Sequence, residues 1–383
     1  MPKVVNNTVW QGPDSSGPQG GITQSLVGRF LSDRERFRLL TVLGLKASEG
    51  WSHKLGFGSM FHVCEEHAAG DWQSALTAHC QKEADAHPFD RHTIEHWWAV
   101  CLQQFPTYQQ WWSQHPQTRE GTPMFREQEF RVPYKLRWSG RVVYLRGKWD
   151  GADLCQDGIW QLEHKTKGDL DAHKIARQLR LDLQTMFYRV AMDSDPWGGF
   201  ESEGHYASDQ PPHKVKGVLY NCIRRPLSGG KGTIRQLQPT KSNPLGESRD
   251  AFYQRVGKYI RDDPGHFFMR FESEVSEADV ERFRLLCLDP ILDQVCDWWS
   301  AVNGGDVWRD SKYYQNFLTP FGVYSPMSEG RATDLDTYLE SGSESGLTRV
   351  TDLFPELGGG KDAEAAVGTH QLAVADSQFA VVQ

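Results

Sequence analysis

The hydrophobic pattern of this chain changes period along its length, and that change constrains the fold more than any single motif. Up to about residue 115, apolar residues recur at helical spacing, as in GSMFHVCEEHAAG and TIEHWWAVCLQQFPTYQQWW. Then FREQEFRVPYKLRW, GRVVYLRGKWDGADL and GIWQLEHKTKG follow as short runs rich in Val, Tyr, Trp and Leu. Turn signals at Ser139-Gly140 and Gln156-Asp157-Gly158 separate them, which predicts strands of an antiparallel meander. Helical spacing returns in HKIARQLRLDLQTMFYRVAM, where Ile175, Leu179, Met186 and Val190 predict one helix, and KGVLYNCIRR reads as a further strand. The order helix, three strands, helix, strand predicts an α/β fold with a mixed sheet. Ser32 followed by Glu35 reads as a capping box opening a helix over RFRLLTVLGL.

The ends read differently from the body. Residues 1–24 are rich in Gly, Pro, Ser and Asn and are expected to form a disordered arm. Residues 331–383 are acidic and Gly/Ser-rich and are expected to form a flexible tail, leaving 25–330 as the folded domain. The seven Cys are odd in number and form no C-x-x-C pair, which fits free thiols in a reducing compartment. No run of about 18 apolar residues predicts a membrane span, and the first residues lack the apolar core of a signal peptide. A cytoplasmic protein is the default expectation.

The net charge of -8 argues at first against a nucleic-acid partner. Its distribution says otherwise. Residues 131–189 hold 12 Lys/Arg against 7 Asp/Glu, a net +5, and residues 214–261 hold 11 against 2, a net +9. Residues 271–383 hold 7 against 20, a net -13. A basic centre offset by an acidic C-terminal part permits a phosphate-binding face on an acidic protein.

Chemistry concentrates on the second hairpin. Asp150 falls near the end of VVYLRGKWD, and in the next strand alternation puts Gln161, Glu163 and Lys165 on one face and Trp160, Leu162 and His164 on the other. Two carboxylates and a lysine can converge there. Carboxylate oxygens suit a hard cation such as Mg²⁺, and a lysine can orient a water and offset transition-state charge. On the following helix Gln184 and Tyr188 are i,i+4 neighbours. Arg177 and Arg180 lie one or two turns earlier, completing a polar stripe suited to a DNA backbone. The bland alternative pairs Asp150 with Lys148 and Glu163 with Lys165 as ordinary salt bridges.

Four motifs in order carry a resemblance: Gly58…His62, Gly147-Lys148-Trp149-Asp150, Glu163-His164-Lys165-Thr166 and Gln184…Tyr188. This is the G-x-x-x-H, G-x-x-D, E-x-K-T, Q-x-x-x-Y set of RecB-like nucleases, so the chain resembles the PD-(D/E)XK superfamily over roughly residues 28–326. The string RQLRLDLQTMFYRVAM is similar to phage-type members. The resemblance implies a restriction-endonuclease-like core, a central mixed sheet flanked by helices, with a helical N-terminal elaboration. It implies a Mg²⁺-dependent deoxyribonuclease, with Mn²⁺ an admissible substitute and exonuclease action in phage or bacterial recombination and repair. His62, Asp150 and Glu163, with the backbone carbonyl of His164, would ligate the metal, and Lys165 would activate water. Gln184 and Tyr188 would hold their helix and contact phosphate. Glu127 matches an acidic position on the first core strand, with Glu129 competing for it. DNA is the implied partner. The resemblance also admits a recombination or single-strand-binding partner protein and leaves the oligomeric state open.

The departures are specific. Many relatives hold an iron–sulfur cluster on four cysteines, but LSDRERFRLLTVLGL has none, and Ser325 in YYQNFLTPFGVYSPM stands where one is expected. No cluster is expected, and packing among Phe317, Phe321 and Tyr324 is expected in its place. GGKGT at 229–233 is not a P-loop. Two further readings compete. One is a catalytically inactive DNA-binding or structural protein that keeps the fold. The other is a mononuclear iron enzyme using His62, Asp150 and His164, which the opposite face expected for His164 disfavours. His92 and His96, with His79 and His87 nearby, read as surface histidines. Of each Trp pair (97–98, 111–112, 298–299), one member is expected to face outward.

Overall fold

The computed structural model describes residues 8–32, 34–47, 50–114, 121–180, 182–195, 214–227, 234–303 and 347–357. The chain begins with α1 (Gln24–Ser32) and α2 (Arg34–Phe37), which runs into a π-helical turn at Arg38–Val42, and then β1 (Leu45–Ala47). Helices α3 (His53–Glu66), α4 (Trp72–Ala86) and α5 (Arg91–Gln114) follow. Next come β2 (Gly121–Lys135), β3 (Val142–Cys155), β4 (Gly158–Lys167), α6 (Ala172–Leu179), α7 (Leu183–Ser194) and β5 (Val215–Arg224). The described chain closes with α8 (Arg249–Asp262), β6 (Phe268–Glu274), α9 (Glu277–Phe283), α10 (Asp289–Asn303) and β7 (Leu347–Arg349).

Five strands form one sheet in the order β2-β3-β4-β5-β6. The meander β2–β3–β4 is antiparallel, as the turn signals predict, and the β4 hairpin turns at Gln156-Asp157 with Gly158 at φ +138. The pair β4–β5 is parallel, which requires a long crossover, and α6 and α7 lie within that connection. Strand β4 is central and buried on both faces from Gly158 to His164. This is the mixed sheet flanked by helices, with a helical N-terminal part, of the restriction-endonuclease-like fold. One apolar core lies between the sheet, α1, α7 and α10, around Trp10, Phe130, Trp149 and Phe187. A second lies among α3, α4, α5 and α8, around Phe57, Phe61, Phe105 and Phe252.

The structure corrects several expectations. The part of the expected arm that lies within the described residues is folded against the sheet. Trp10 is fully buried and its indole donates to the Gly21 carbonyl at 2.9 Å, while Ile22 exchanges hydrogen bonds with Tyr144 and Arg146 of β3. In the tail, β7 pairs antiparallel with β1, and Phe354 lies under the Arg146 guanidinium at 4.3 Å. The rest of the tail, the GGKGT loop and the segment carrying Phe317, Phe321, Tyr324 and Ser325 lie outside the described residues. Ser32 opens no helix: it ends α1 and donates to the Arg29 carbonyl at 2.8 Å. The Thr23 hydroxyl caps α1 instead, accepting from the Leu26 amide at 3.2 Å. The single helix expected over 173–192 is two, because Asp171 and Asp182 each accept a backbone N–H at a helix start.

Candidate active site

The ladder between β3 and β4 runs from Cys155↔Gly158 to Gly151↔Leu162. The next positions are Asp150 and Glu163, so both carboxylates sit where the two strands part. Asp150 Oδ2 accepts the backbone N–H of His164 at 2.6 Å across that opening. On the other side of β3, the register Arg126↔Gly151 and Gln128↔Trp149 sets Glu127 opposite Asp150. Glu127 has φ +48, a left-handed conformation that no other described non-glycine residue adopts. Such backbone costs about 1–3 kcal/mol and persists only where surrounding contacts hold it. Here the contacts are charged: Glu127 Oε1 lies 3.1 Å from His62 Nδ1 and Oε2 lies 3.1 Å from Lys148 Nζ.

His62 arrives on α3, one turn after Gly58. A Cβ at Gly58 would stand 3.4 Å from Thr166 Oγ1, an ordinary contact, which places this turn of α3 directly over β4. His62 Nδ1 is 3.7 Å from Asp150 Oδ1. One ligand-type atom each from His62, Glu127 and Asp150 falls within 4.8 Å of the others. A nitrogen and two carboxylate oxygens at this spacing fit a divalent cation. The His62 side chain is 34% exposed, so this half of the site opens to solvent.

The other half faces α7. Glu163, only 1% exposed, accepts from Lys165 Nζ at 2.6 Å and from Gln184 Nε2 at 2.7 Å through the same oxygen. Lys165 Nζ also donates to Gln184 Oε1 at 2.7 Å, which closes a triangle. The Asp182 cap presents Gln184 at the start of α7. Alternation sends the neighbouring His164 side chain to the α3 side, where its Nδ1 is 3.2 Å from Asn221 Nδ2 and 3.9 Å from Glu65 Oε1. Its ring meets that of His62 edge-on at 5.8 Å.

The electrostatics follow from burial and from like charges held together. Burial, then the Glu163 charge, pushes the Asp150 carboxyl up to about 8. Burial disfavours the His62 cation, but Asp150 and the Glu127 hydrogen bond outweigh it and raise the imidazole to about 9. His164, buried and beside the His62 charge, is lowered to about 3. Burial raises Glu65 to about 7. Burial also works against the Lys165 ammonium, yet the Glu163 carboxylate lifts it above the ordinary lysine value.

The family model of the PD-(D/E)XK nuclease superfamily matches residues 22–289. The chain belongs to that superfamily. Comparison with curated protein sequences finds no match. Nucleases of the PD-(D/E)XK superfamily use divalent metals, and the His62, Glu127 and Asp150 donors fit one.

The structure sorts the residues that the sequence singled out. It brings His62, Asp150, Glu163, Lys165 and Gln184 into one cluster, with Glu163 held by Lys165 and Gln184 rather than within the cation trio. Between Glu127 and Glu129 it selects Glu127. Tyr188 is buried, with its ring edge-on to Phe130 at 5.3 Å. Gly147 makes room for that packing, since a Cβ there would stand 2.7 Å from Phe130 and 3.0 Å from Tyr188. Arg177 and Arg180 are exposed on and just after α6, and the helix break separates them from the phase of Gln184. Lys148, Glu65 and Asn221 were not read as site residues; only Lys148, inside the G-x-x-D motif, carried a signal. Several basic residues after β4 are engaged within the chain: Lys214 pairs with Glu277, Arg255 with Glu247 and Lys258 with Asp262.

Proposed function

We propose that the protein is a divalent-metal-dependent deoxyribonuclease, acting on DNA ends as an exonuclease in phage or bacterial recombination and repair. The observation that carries the reading is the placement of the His62–Glu127–Asp150 trio beside the Lys165–Glu163–Gln184 triangle. Similarity of the α6–α7 string to phage-type, RecB-like members supports the exonuclease assignment. His62, Asp150 and Glu127 would hold Mg²⁺ or Mn²⁺, with Glu163 and the His164 carbonyl at its edge. A bound divalent ion supplies Lewis-acid polarisation of the phosphate and acidifies water. Lys165 holds its proton at neutral pH because Glu163 stabilises the ammonium. It therefore acts as a positioned donor and cation that orients the attacking water, rather than as a base. Gln184 fixes the Lys165 amine, and Tyr188 fixes α7 against Phe130. Arg177 and Arg180, exposed on and just after α6, would meet phosphates. The test is cleavage of linear blunt, linear single-stranded and closed circular DNA with Mg²⁺ or Mn²⁺. Release of short products from linear DNA, with circles left intact, is expected. Nicking of circles at the same rate would overturn the exonuclease reading, and no cleavage of any substrate would overturn the nuclease reading.

A further inference from the structure

His92 and His96 face a groove whose residues are not part of the cation trio or the Lys165 triangle. A cavity of about 400 Å³ is bordered by His92, His96, Arg235, Arg249 and Tyr253, and no carboxylate lines it among the described residues. A second cavity of about 390 Å³ continues it past Arg249 and Tyr253, with Glu95 and Asp250 on its wall. The carboxylate-free part is therefore the anion-favouring part. It is also braced. The His96 ring stacks on Phe252 at 5.8 Å with planes 7° apart, and its Nδ1 lies 2.7 Å from the Tyr253 hydroxyl. Arg249 Nη2 approaches the same hydroxyl at 3.5 Å. The loop carrying Arg235 is tied down by Arg255, which donates to the Arg235 carbonyl at 2.8 Å and to both oxygens of Glu247. After burial, the Arg249 and His92 charges are what lower the His96 pKa.

A chain of contacts joins this groove to the active site. Thr166 follows Lys165 on β4, and its carbonyl and hydroxyl accept from Arg225 at 3.0 and 3.4 Å. The neighbouring Pro226 carbonyl accepts from the Ile234 amide at 3.0 Å, and Leu227 and Ile234 form the near wall of the groove.

We propose that the groove holds the phosphate backbone of one nucleic-acid strand extending from the active site, with Arg235 and Arg249 facing its phosphates. This rests on the nuclease reading for the origin of the strand. The charge fits an anion, and a basic groove walled by the partly exposed rings of His96 and Tyr253 suits an unstacked single strand better than a duplex.

The experiment measures binding of labelled dT4, dT20 and a 20-base-pair duplex to the full chain in Ca²⁺. It compares wild type, Arg235→Glu/Arg249→Glu and Lys165→Ala. Wild type and Lys165→Ala should bind dT20 far more tightly than dT4. The double variant should lose about tenfold for dT20, with a shallower salt dependence and no change for dT4. Arg235→Lys/Arg249→Lys should restore dT20 binding, which a folding defect would not explain. If the Glu pair fails to fold, Arg235→Gln/Arg249→Gln gives the same comparison. Unchanged dT20 affinity in the folded double variant would overturn the proposal, as would an equal loss for the duplex. A wild type that shows this arginine-dependent dT20 binding but cuts no DNA in Mg²⁺ would leave the groove standing and sink the nuclease reading.

Discussion

The two halves of the active site differ in how well their polar groups are satisfied. On the α7 side Lys165, Glu163 and Gln184 form a closed triangle with contacts of 2.6–2.7 Å. On the α3 side Asp150 and Glu127 are crowded around His62, Glu127 sits in left-handed backbone, and Asp150 is pushed up to about 8. The first arrangement is at rest as it stands. The second holds left-handed backbone at Glu127 and an Asp150 carboxyl whose charge burial and Glu163 disfavour, which a cation would offset. The difference suggests a division of labour: one half holds a lysine in place before substrate arrives, and the other is built to be completed.

Substitutions can break that comparison. The largest effect is expected for Lys165→Ala, which should slow cleavage by about 10³-fold while DNA binding in Ca²⁺ persists. Cutting at the wild-type rate would show that the triangle is only structural. Next comes a contrast between halves. Glu127→Gln should weaken divalent-ion binding by about 10- to 100-fold and lower the melting temperature of the metal-free protein less than the Glu163 variant does, because Lys148 is partly exposed and keeps its pairing with Glu66. Glu163→Gln should lower that temperature, because a buried Lys165 loses its charged partner, at a cost of about 1–3 kcal/mol. Equal thermal losses in the two variants would erase the distinction. Gln184→Ala should reduce kcat about tenfold with little change in KM, since it loosens the lysine without touching the cation trio. The smallest effect lies outside both halves. Arg255 holds Glu247 down to about 2, against an ordinary 4.5. A depressed carboxylate stabilises above its ordinary value, and that contribution is lost as pH falls from 4.5 toward 2. Wild-type and Glu247→Gln melting curves should therefore differ at pH 6 and converge near pH 2.

Much of this was legible from pattern alone. Strict alternation and turn residues gave the β3–β4 hairpin, and alternation correctly parted Glu163 and Lys165 from His164. The same rule fails where geometry is irregular. Glu127 and Glu129 share one face of an ideal strand, and the register, which sets Glu127 opposite Asp150 and Glu129 opposite Lys148, separates them together with the left-handed backbone at Glu127. The helix break at Asp182 was hidden because Ile175, Leu179, Met186 and Val190 keep a helical rhythm across it, although both capping aspartates were in view. Composition misled at the ends. A Gly/Pro-rich average concealed Trp10, and an acidic one concealed Phe354, each of which is buried. Helix α4 carries too narrow a stripe, Leu76, Cys80 and Ala84, to stand out by periodicity.

The central claim is that the crowded half becomes competent by binding a divalent ion. Its most direct test is a titration of metal-free wild type and Asp150→Asn with Mn²⁺, with linear-DNA cleavage followed on the same samples. The account predicts saturable binding in the wild type that cleavage tracks point by point, with both lost in the variant. Full cleavage in EDTA, or an Asp150→Asn protein that binds Mn²⁺ and cuts as the wild type does, would contradict it.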